Sequence, residues 1–399
     1  MSPLISLKGL NLHHKRLIIR EDLNVPMEKG RITSDARIQA ALPTIQYALE
    51  QGAAVILLSH LGRPEEGHIT PKFSLAPIAE RLQTLLGRPV KFISHWLDGF
   101  EIEPGEVVLC ENVRFQKGEK NNDSILAKKI AKLGDIFVMD AFATAHRSEA
   151  STVGVAQFSE QACAGLLLMA ELEVLTQALK NPARPLLAIV GGSKVSSKLQ
   201  VLAALIQKVD KLILGGGIAN TFLVAQGYRL GRSLVESDLI AEAKHLIVLA
   251  QQKQVEIILP VDVVVAKEIS VTAKTTIKKL TEIEDDEMVL DIGPESIKLY
   301  IQSISSAATI LWNGPVGVFE MSPFEEGTRA LSLAIARSKA FSIAGGGDTL
   351  AAIEKYGITN KISYISTGGG AFLEFIEDEN LPALSVLKKG HKRLNNETI

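Results

Sequence analysis

Apolar residues in this chain fall in short, nearly unbroken runs rather than alternating with polar ones. The runs span 17–20, 54–59, 106–110 and 136–140 in the first half, and 187–190, 211–214, 256–260, 309–312, 341–344 and 362–365 in the second. This is the pattern of strands covered on both faces. Between them apolar positions recur at helical spacing, as at 75, 78, 79, 82, 85 and 86, and again over 197–209. Strand alternating with helix over a long chain predicts an α/β protein with parallel sheets and right-handed crossovers. A boundary is expected near 164–185, where one amphipathic helix is followed by the breaking residues Pro182 and Pro185.

In an open parallel sheet the ligand lies beyond the carboxyl ends of the strands, so the residues after each run are the candidate site. In the first half these are cations and short polar groups: Arg20, Asp22 and Asn24, then His60 and Arg63, then Arg114, then His146 and Arg147. In the second half they are glycines: Gly191 and Gly192, Gly215 to Gly217, Gly314 and Gly317, Gly345 to Gly347, and Gly368 to Gly370. Two halves so different in chemistry bind different ligands.

The chain has 399 residues, 46% hydrophobic and 22% charged, with a net charge of −2. That composition supports sizeable cores and gives no bulk attraction for nucleic acid or anionic lipid, so any anion site is local. Lys8, Lys15 and Arg16 interrupt the apolar stretch an export signal needs, and the longest uncharged run, 299–319, is broken by polar residues and a proline. Cys110 and Cys163 offer no disulfide framework and read as buried apolar residues. A soluble cytoplasmic protein that contacts neither membrane nor nucleic acid is expected.

Guanidinium groups bind carboxylate and phosphate oxygens bidentately and stay charged, so Arg20, Arg37, Arg63, Arg114 and Arg147 with His60 suit a small ligand with several anionic oxygens. Glycine turns let backbone amides approach phosphate. There is no Gly-Lys dipeptide, which excludes a Walker-A loop, and 215–220 lacks the third glycine of a dinucleotide fingerprint. If a helix starts just after Gly192, Lys194 and Lys198 share one face at its N-terminus. Asp348, beside Thr349, is either a divalent-metal ligand or a helix cap.

Eleven segments together resemble the phosphoglycerate kinase family: REDLNVP at 20–26, SDARI at 34–38, SHLGRP at 59–64, ENVRF at 111–115, MDAFATAHR at 139–147, GGSKVSSK at 191–198, GGGIANTF at 215–222, LPVDVVVA at 259–266, WNGPVGVFE at 312–320, GGGDT at 345–349 and STGGGAFLE at 366–374. The resemblance implies two doubly wound, Rossmann-like parallel-sheet domains joined by a hinge helix. Residues 1–165 would bind the glycerate substrate, 166–182 form the hinge, 183–380 bind nucleotide, and 381–399 return to the first domain. It implies Mg²⁺-dependent phosphoryl transfer from 1,3-bisphosphoglycerate to ADP by a monomer. On the matching motifs, Asp22, Leu23, Asn24, Arg37, His60, Leu61, Gly62, Arg63, Arg114 and Arg147 would hold the glycerate ligand. Lys198, Glu320, Gly346, Gly347, Asp348 and Thr349 would hold ATP or ADP, Asp348 through the metal. Arg37, Lys194, Lys198 and Gly369 would act on the transferring group. Two positions depart from the family pattern. Glu21 stands where a small apolar residue is usual and is expected to point to solvent. Ala143 replaces a glycine and would strain the loop presenting Arg147 if that loop needs positive φ.

Two other classes read from the residues are a nicotinamide-dependent dehydrogenase and a two-lobed anion-binding protein. The first needs a GxGxxG turn with an acidic residue about 20 positions on, which the chain lacks. The second does not account for the glycine-built half.

Overall fold

The computed structural model describes residues 4–366, 368, 370–378 and 380–388. The chain divides into two compact units, one formed up to Glu173 together with the segment beginning at Asp378, the other by Val174–Glu377. In the first unit the strands are β1 (Arg16–Arg20), β2 (Met27–Glu28), β3 (Arg31–Ile32), β4 (Ala54–Leu58), β5 (Lys91–Ile93), β6 (Val107–Cys110), β7 (Ile136–Met139) and β8 (Gln161–Ala164). Its helices are α1 (Ala36–Glu50), α2 (Ala76–Leu86), α3 (Ser124–Ala131) and α4 (Val155–Phe158), with a further short helix over 382–388. Six strands form one parallel sheet in the order β5-β6-β4-β1-β7-β8, and β2 and β3 make a small antiparallel hairpin. A single helix, α5 (Leu166–Lys180), carries the chain from the first unit into the second.

The second unit contains β9 (Leu186–Val190), α6 (Leu199–Ile206), β10 (Lys211–Leu214), α7 (Gly216–Ala225), α8 (Ile240–Gln252), β11 (Glu256–Ile258), β12 (Asp262–Ala266), β13 (Thr276–Lys279) and β14 (Met288–Ile292). It continues through α9 (Pro294–Ser306), β15 (Thr309–Asn313), α10 (Glu326–Arg337), β16 (Phe341–Ala344), α11 (Gly347–Lys355), β17 (Tyr364–Ile365) and α12 (Gly370–Glu377). Its parallel sheet runs β11-β10-β9-β15-β16-β17. The expected pair of parallel α/β sheets is therefore present, with six strands in each. The second half also carries an element that the apolar runs did not predict, the antiparallel sheet β13-β12-β14.

Burial explains why the runs are strands. Leu17, Ile18 and Ile19 of β1 and Leu186 to Val190 of β9 are at most 1% exposed, so both faces of each central strand are covered. Sheet order then places the sites. β1 is flanked by β4 on one side and β7 on the other, and β9 by β10 and β15, so crossovers leave each central strand in opposite directions. The crevice at such a switch point opens beyond the strand's carboxyl end. In the first unit that is Glu21 onward, and in the second it is Gly191 onward.

Candidate active site

In the first unit, hydrogen bonds join the segments after β1, β4 and β6. Ser59 Oγ accepts from Leu23 N–H (2.8 Å), and Asn24 Oδ1 accepts from Gly62 N–H (2.8 Å). Arg114 Nη1 donates to Gly62 O (2.7 Å), and its backbone N–H is capped by Asn112 Oδ1 (3.0 Å). Gly62 has φ of +61°, which glycine adopts readily. Arg37, in the first turn of α1, donates to Asp22, whose other oxygen lies 3.9 Å from His60 Nδ1. Glu149 Oε1 sits 3.3 Å from Arg114 Nη2 and 3.8 Å from Arg147 Nη1. Burial, then Arg20, Arg114, Arg147 and Arg37, hold the His60 imidazole well below its ordinary pKa. His60 is therefore a neutral group among guanidinium cations that Asp22 and Glu149 hold in place.

Asp22, Asn24, Arg37, His60, Gly62, Arg114 and Arg147 are thus brought together, with exposed Arg63 next to Gly62. Leu23 and Leu61 belong to the hydrophobic core, so only their backbone faces the site. Arg20 is fully buried and donates to Ser151 Oγ (2.9 Å), to the Glu21 carbonyl and towards His60 Nδ1 (3.3 Å), which removes it from the ligand-binding set. Glu21 does not reach solvent. It is fully buried, because the chain beyond β1 turns its side chain inward against Asp140. Ala143 lies in the single 3₁₀ turn Phe142–Thr144 and is not among the positive-φ residues, so replacing glycine there strains nothing.

In the second unit the glycine turns pack backbone against backbone. A Cβ on Gly191 would lie 1.8 Å from Pro315 O, and one on Gly314, whose φ is +105°, 2.3 Å from Gly191 O. Lys198 Nζ donates to Gly191 O (2.5 Å) and Asn313 Oδ1 (2.6 Å), and Asn313 Nδ2 donates to Gly345 O (2.6 Å). Thr349 Oγ1 accepts from Gly314 N–H (2.7 Å) and is buried. Burial lowers the Lys198 ammonium to about 8, against a smaller opposing pull from Asp348. The helix after Gly192 does not start at Lys194. A turn closed by Lys198 N–H to Val195 O (2.8 Å), with Ser197 Oγ on Lys194 O (2.9 Å), delays α6 to Leu199. Lys194 and Lys198 therefore share no helix face, because local serine bonding competes with helix initiation.

These turns border a cavity of ≈ 530 Å³ lined by Gly192, Gly216, Gly217, Gly317, Glu320 and Asp348 among others, a volume in the range of nucleotide-sized ligands. Gly346, with φ of +100°, caps α11, and Gly347 and Asp348 occupy its first turn, where amides without helical partners suit an anion. The Asp348 carboxylate is exposed, and no group of three or more metal-binding side chains exists among the described residues. A hard cation held by one carboxylate plus substrate phosphates fits that donor set.

The phosphoglycerate kinase family's sequence model matches residues 7–379. The chain belongs to the phosphoglycerate kinase family. A phosphoglycerate kinase of Francisella tularensis subsp. tularensis is 58% identical over 385 residues, 96% of this chain and 98% of its own. One from Legionella pneumophila is 58% identical over 391 residues, 98% and 99%. The solved phosphoglycerate kinase of Coxiella burnetii superposes with a TM-score of 0.91 at 55% identity, covering 97% of this chain and 99% of that one. That of Pyrococcus horikoshii gives 0.78 at 34%, covering 98% and 100%. The reaction is accordingly the family's glycolytic phosphoryl transfer between 1,3-bisphosphoglycerate and ADP, with a carboxyl group as acceptor in reverse.

Sequence reasoning missed Asn313, which bridges Lys198 to Gly345, and Glu149, which orients Arg114 and Arg147. Asn313 closes its strand and stood inside a quoted motif, so its position carried the signal. Glu149 had none. Gly369 lies outside the described residues.

Proposed function

We propose that the first unit holds the glycerate ligand and the second the nucleotide, by the residues the family motifs single out. Asp22, Asn24, Arg37, His60, the Gly62 amide, Arg63, Arg114 and Arg147 bind 3-phosphoglycerate or its acyl phosphate. Lys198, Glu320 and the amides of Gly346 to Thr349 bind ATP or ADP. The observation that carries this is the division of chemistry: guanidinium groups around a neutral His60 in one unit, glycine turns around half-buried Lys198 in the other. Mg²⁺ on Asp348, when bound, neutralises charge on the nucleotide phosphates.

In the ATP-consuming direction a bond forms from the substrate carboxylate oxygen to the γ-phosphorus, and the bond from that phosphorus to the bridging oxygen of ADP breaks. The attacking oxygen is already ionised, so no residue need act as base. The protein's part is to align the reactants and neutralise the equatorial oxygens. Arg37, Lys194 and Lys198 supply cations, and the segment containing Gly369 supplies amides. Transfer needs the two ligands in contact, and closure of the units about α5 would bring this about and exclude water from the acyl phosphate. A reducing cytoplasm suits the two buried free thiols, Cys110 and Cys163, and a monomer is sufficient for this chemistry.

Arg37→Ala tests the assignment. Removing a charge aimed at the transferring group should lower kcat roughly a hundred- to thousandfold, about 2.7–4 kcal/mol, with little change in KM. Steady-state kinetics with ATP and 3-phosphoglycerate, on protein shown by thermal melting to be folded, decide it. A raised KM at normal kcat overturns it.

A further inference from the structure

Glu21 sits between two residues of the glycerate site's framework, yet nothing in that site uses its carboxyl. Both of its oxygens are buried without a hydrogen-bond donor, as is Asp140 Oδ2. Arg20, its neighbour, donates to Ser151 and the Glu21 backbone carbonyl and towards His60, and none of its hydrogen bonds reaches the Glu21 side chain. The group that faces Glu21 is the Asp140 carboxyl, just beyond β7. Asp140 is richly supplied: Oδ1 accepts from Leu168 N–H (2.9 Å), and Leu167 N–H and the Thr44 hydroxyl also serve it. Leu167 and Leu168 are in the first turn of α5, where amides lack helical partners. The chain enters that helix directly over the carboxylate, since a Cβ on Gly165 would fall 2.1 Å from Asp140 Oδ1.

Two carboxylates cannot both stay ionised when buried against each other with no cation bonded to the pair. Burial pushes both carboxyls up, but the amide donors of Asp140 oppose that rise, so Asp140 is the member of the pair that carries the charge. Glu21, with none, keeps a proton and so becomes the one donor available to Asp140 Oδ2. We propose that Glu21 is a positioning residue for the glycerate site, its carboxyl O–H donating to Asp140 and so tying the segment that carries Asp22 to the first turn of α5.

The Asp22–Arg37 pair is the next link along that segment, so a fault at Glu21 reaches the site through the backbone. Burial and Asp140 both push the Glu21 carboxyl well above the ordinary carboxylate range, in the direction the tie requires. The other groups facing the pair are Arg20 and Asp22 on the same segment, Thr44 on α1 and the Cys163 thiol on β8, itself kept protonated by burial and by Asp140. Loss of the shared proton leaves two repelling carboxylates and releases the segment.

The link to substrate rests on the proposed assignment of Asp22 and Arg37, so the test has one arm that does not. Infrared spectra of the full-length protein at about pH 7 should contain a protonated-carboxyl C=O band that Glu21→Gln removes. The amide of Glu21→Gln keeps the shape and a neutral donor. The second arm is KM for 3-phosphoglycerate against pH. In the parent protein it should rise by up to about tenfold per pH unit once the pair loses its proton, and in Glu21→Gln that rise should be absent. An unchanged infrared spectrum overturns the shared proton. A lost band with superimposable pH profiles overturns the positioning role. A Glu21→Gln variant that does not fold also counts against the proposal, because a neutral donor of the same shape should suffice. If Asp22 and Arg37 do not hold substrate, Arg37→Ala leaves kinetics unaltered while the infrared difference persists.

Discussion

Lys198 combines three carbonyl oxygens within reach of its ammonium with a burial that lowers its pKa to about 8. In the ligand-free protein near that pH it is about half charged. A phosphate group arriving beside it favours the charged form, so nucleotide binding should take up protons. Calorimetric titration of ATP at about pH 8, in buffers of different ionisation enthalpy, should show uptake of up to about half a proton beyond the nucleotide's own contribution, and Lys198→Arg should abolish that excess. Equal buffer dependence in both proteins would exclude Lys198. The stability sign runs with this. The ordinary lysine value, 10.5, lies above the folded one, so the unfolded chain holds more protons between about pH 8 and 10.5 and ligand-free protein gains stability as pH rises through that window.

The first turn of α11 puts a carboxylate where a helix N-terminus already favours anions, and that carboxylate lines the cavity bordered by the glycine turns. Asp348→Asn should therefore weaken MgATP much more than metal-free ATP, since an amide is the poorer ligand for a hard cation. Isothermal titration with and without Mg²⁺ measures this, and equal weakening would make Asp348 a structural cap. The glycines that open α11 are legible because they follow β16, a mostly buried apolar run. The sheet β13-β12-β14 is not. Its edge strand β13 is Thr-Ile-Lys-Lys with Ile277 59% exposed, a sequence no apolar run marks. Spacing alone does not register the late start of α6, because Ser197 Oγ bonds back to Lys194 O while Ser196 Oγ donates to Glu236, forty residues further along the chain. Glu21 was read outward because charge in a sequence signals solvent unless the partner, here Asp140 more than a hundred residues away, is known.

For the whole molecule, the proposed binding of the two reactants by separate units predicts that closure accompanies binding of both. Small-angle scattering on protein alone, with 3-phosphoglycerate, with a non-hydrolysable MgATP analogue and with both should show the smallest radius of gyration in the ternary sample, because each ligand biases the hinge only by its own differential affinity. Four equal values would refute closure about α5. The first unit has another property, set by the order in which the chain is made. Residues 382–388 form a helix whose Ala383 N–H donates to Ala145 O (3.0 Å), in the loop that presents Arg147. That helix emerges from the ribosome only after the entire second unit. At about 5–20 residues per second, the early half waits roughly 10 to 40 seconds for its last piece. The loop that presents Arg147 is thus exposed to chaperones and proteases before that helix is made, and a message truncated within it yields a second unit attached to a first one that lacks the helix.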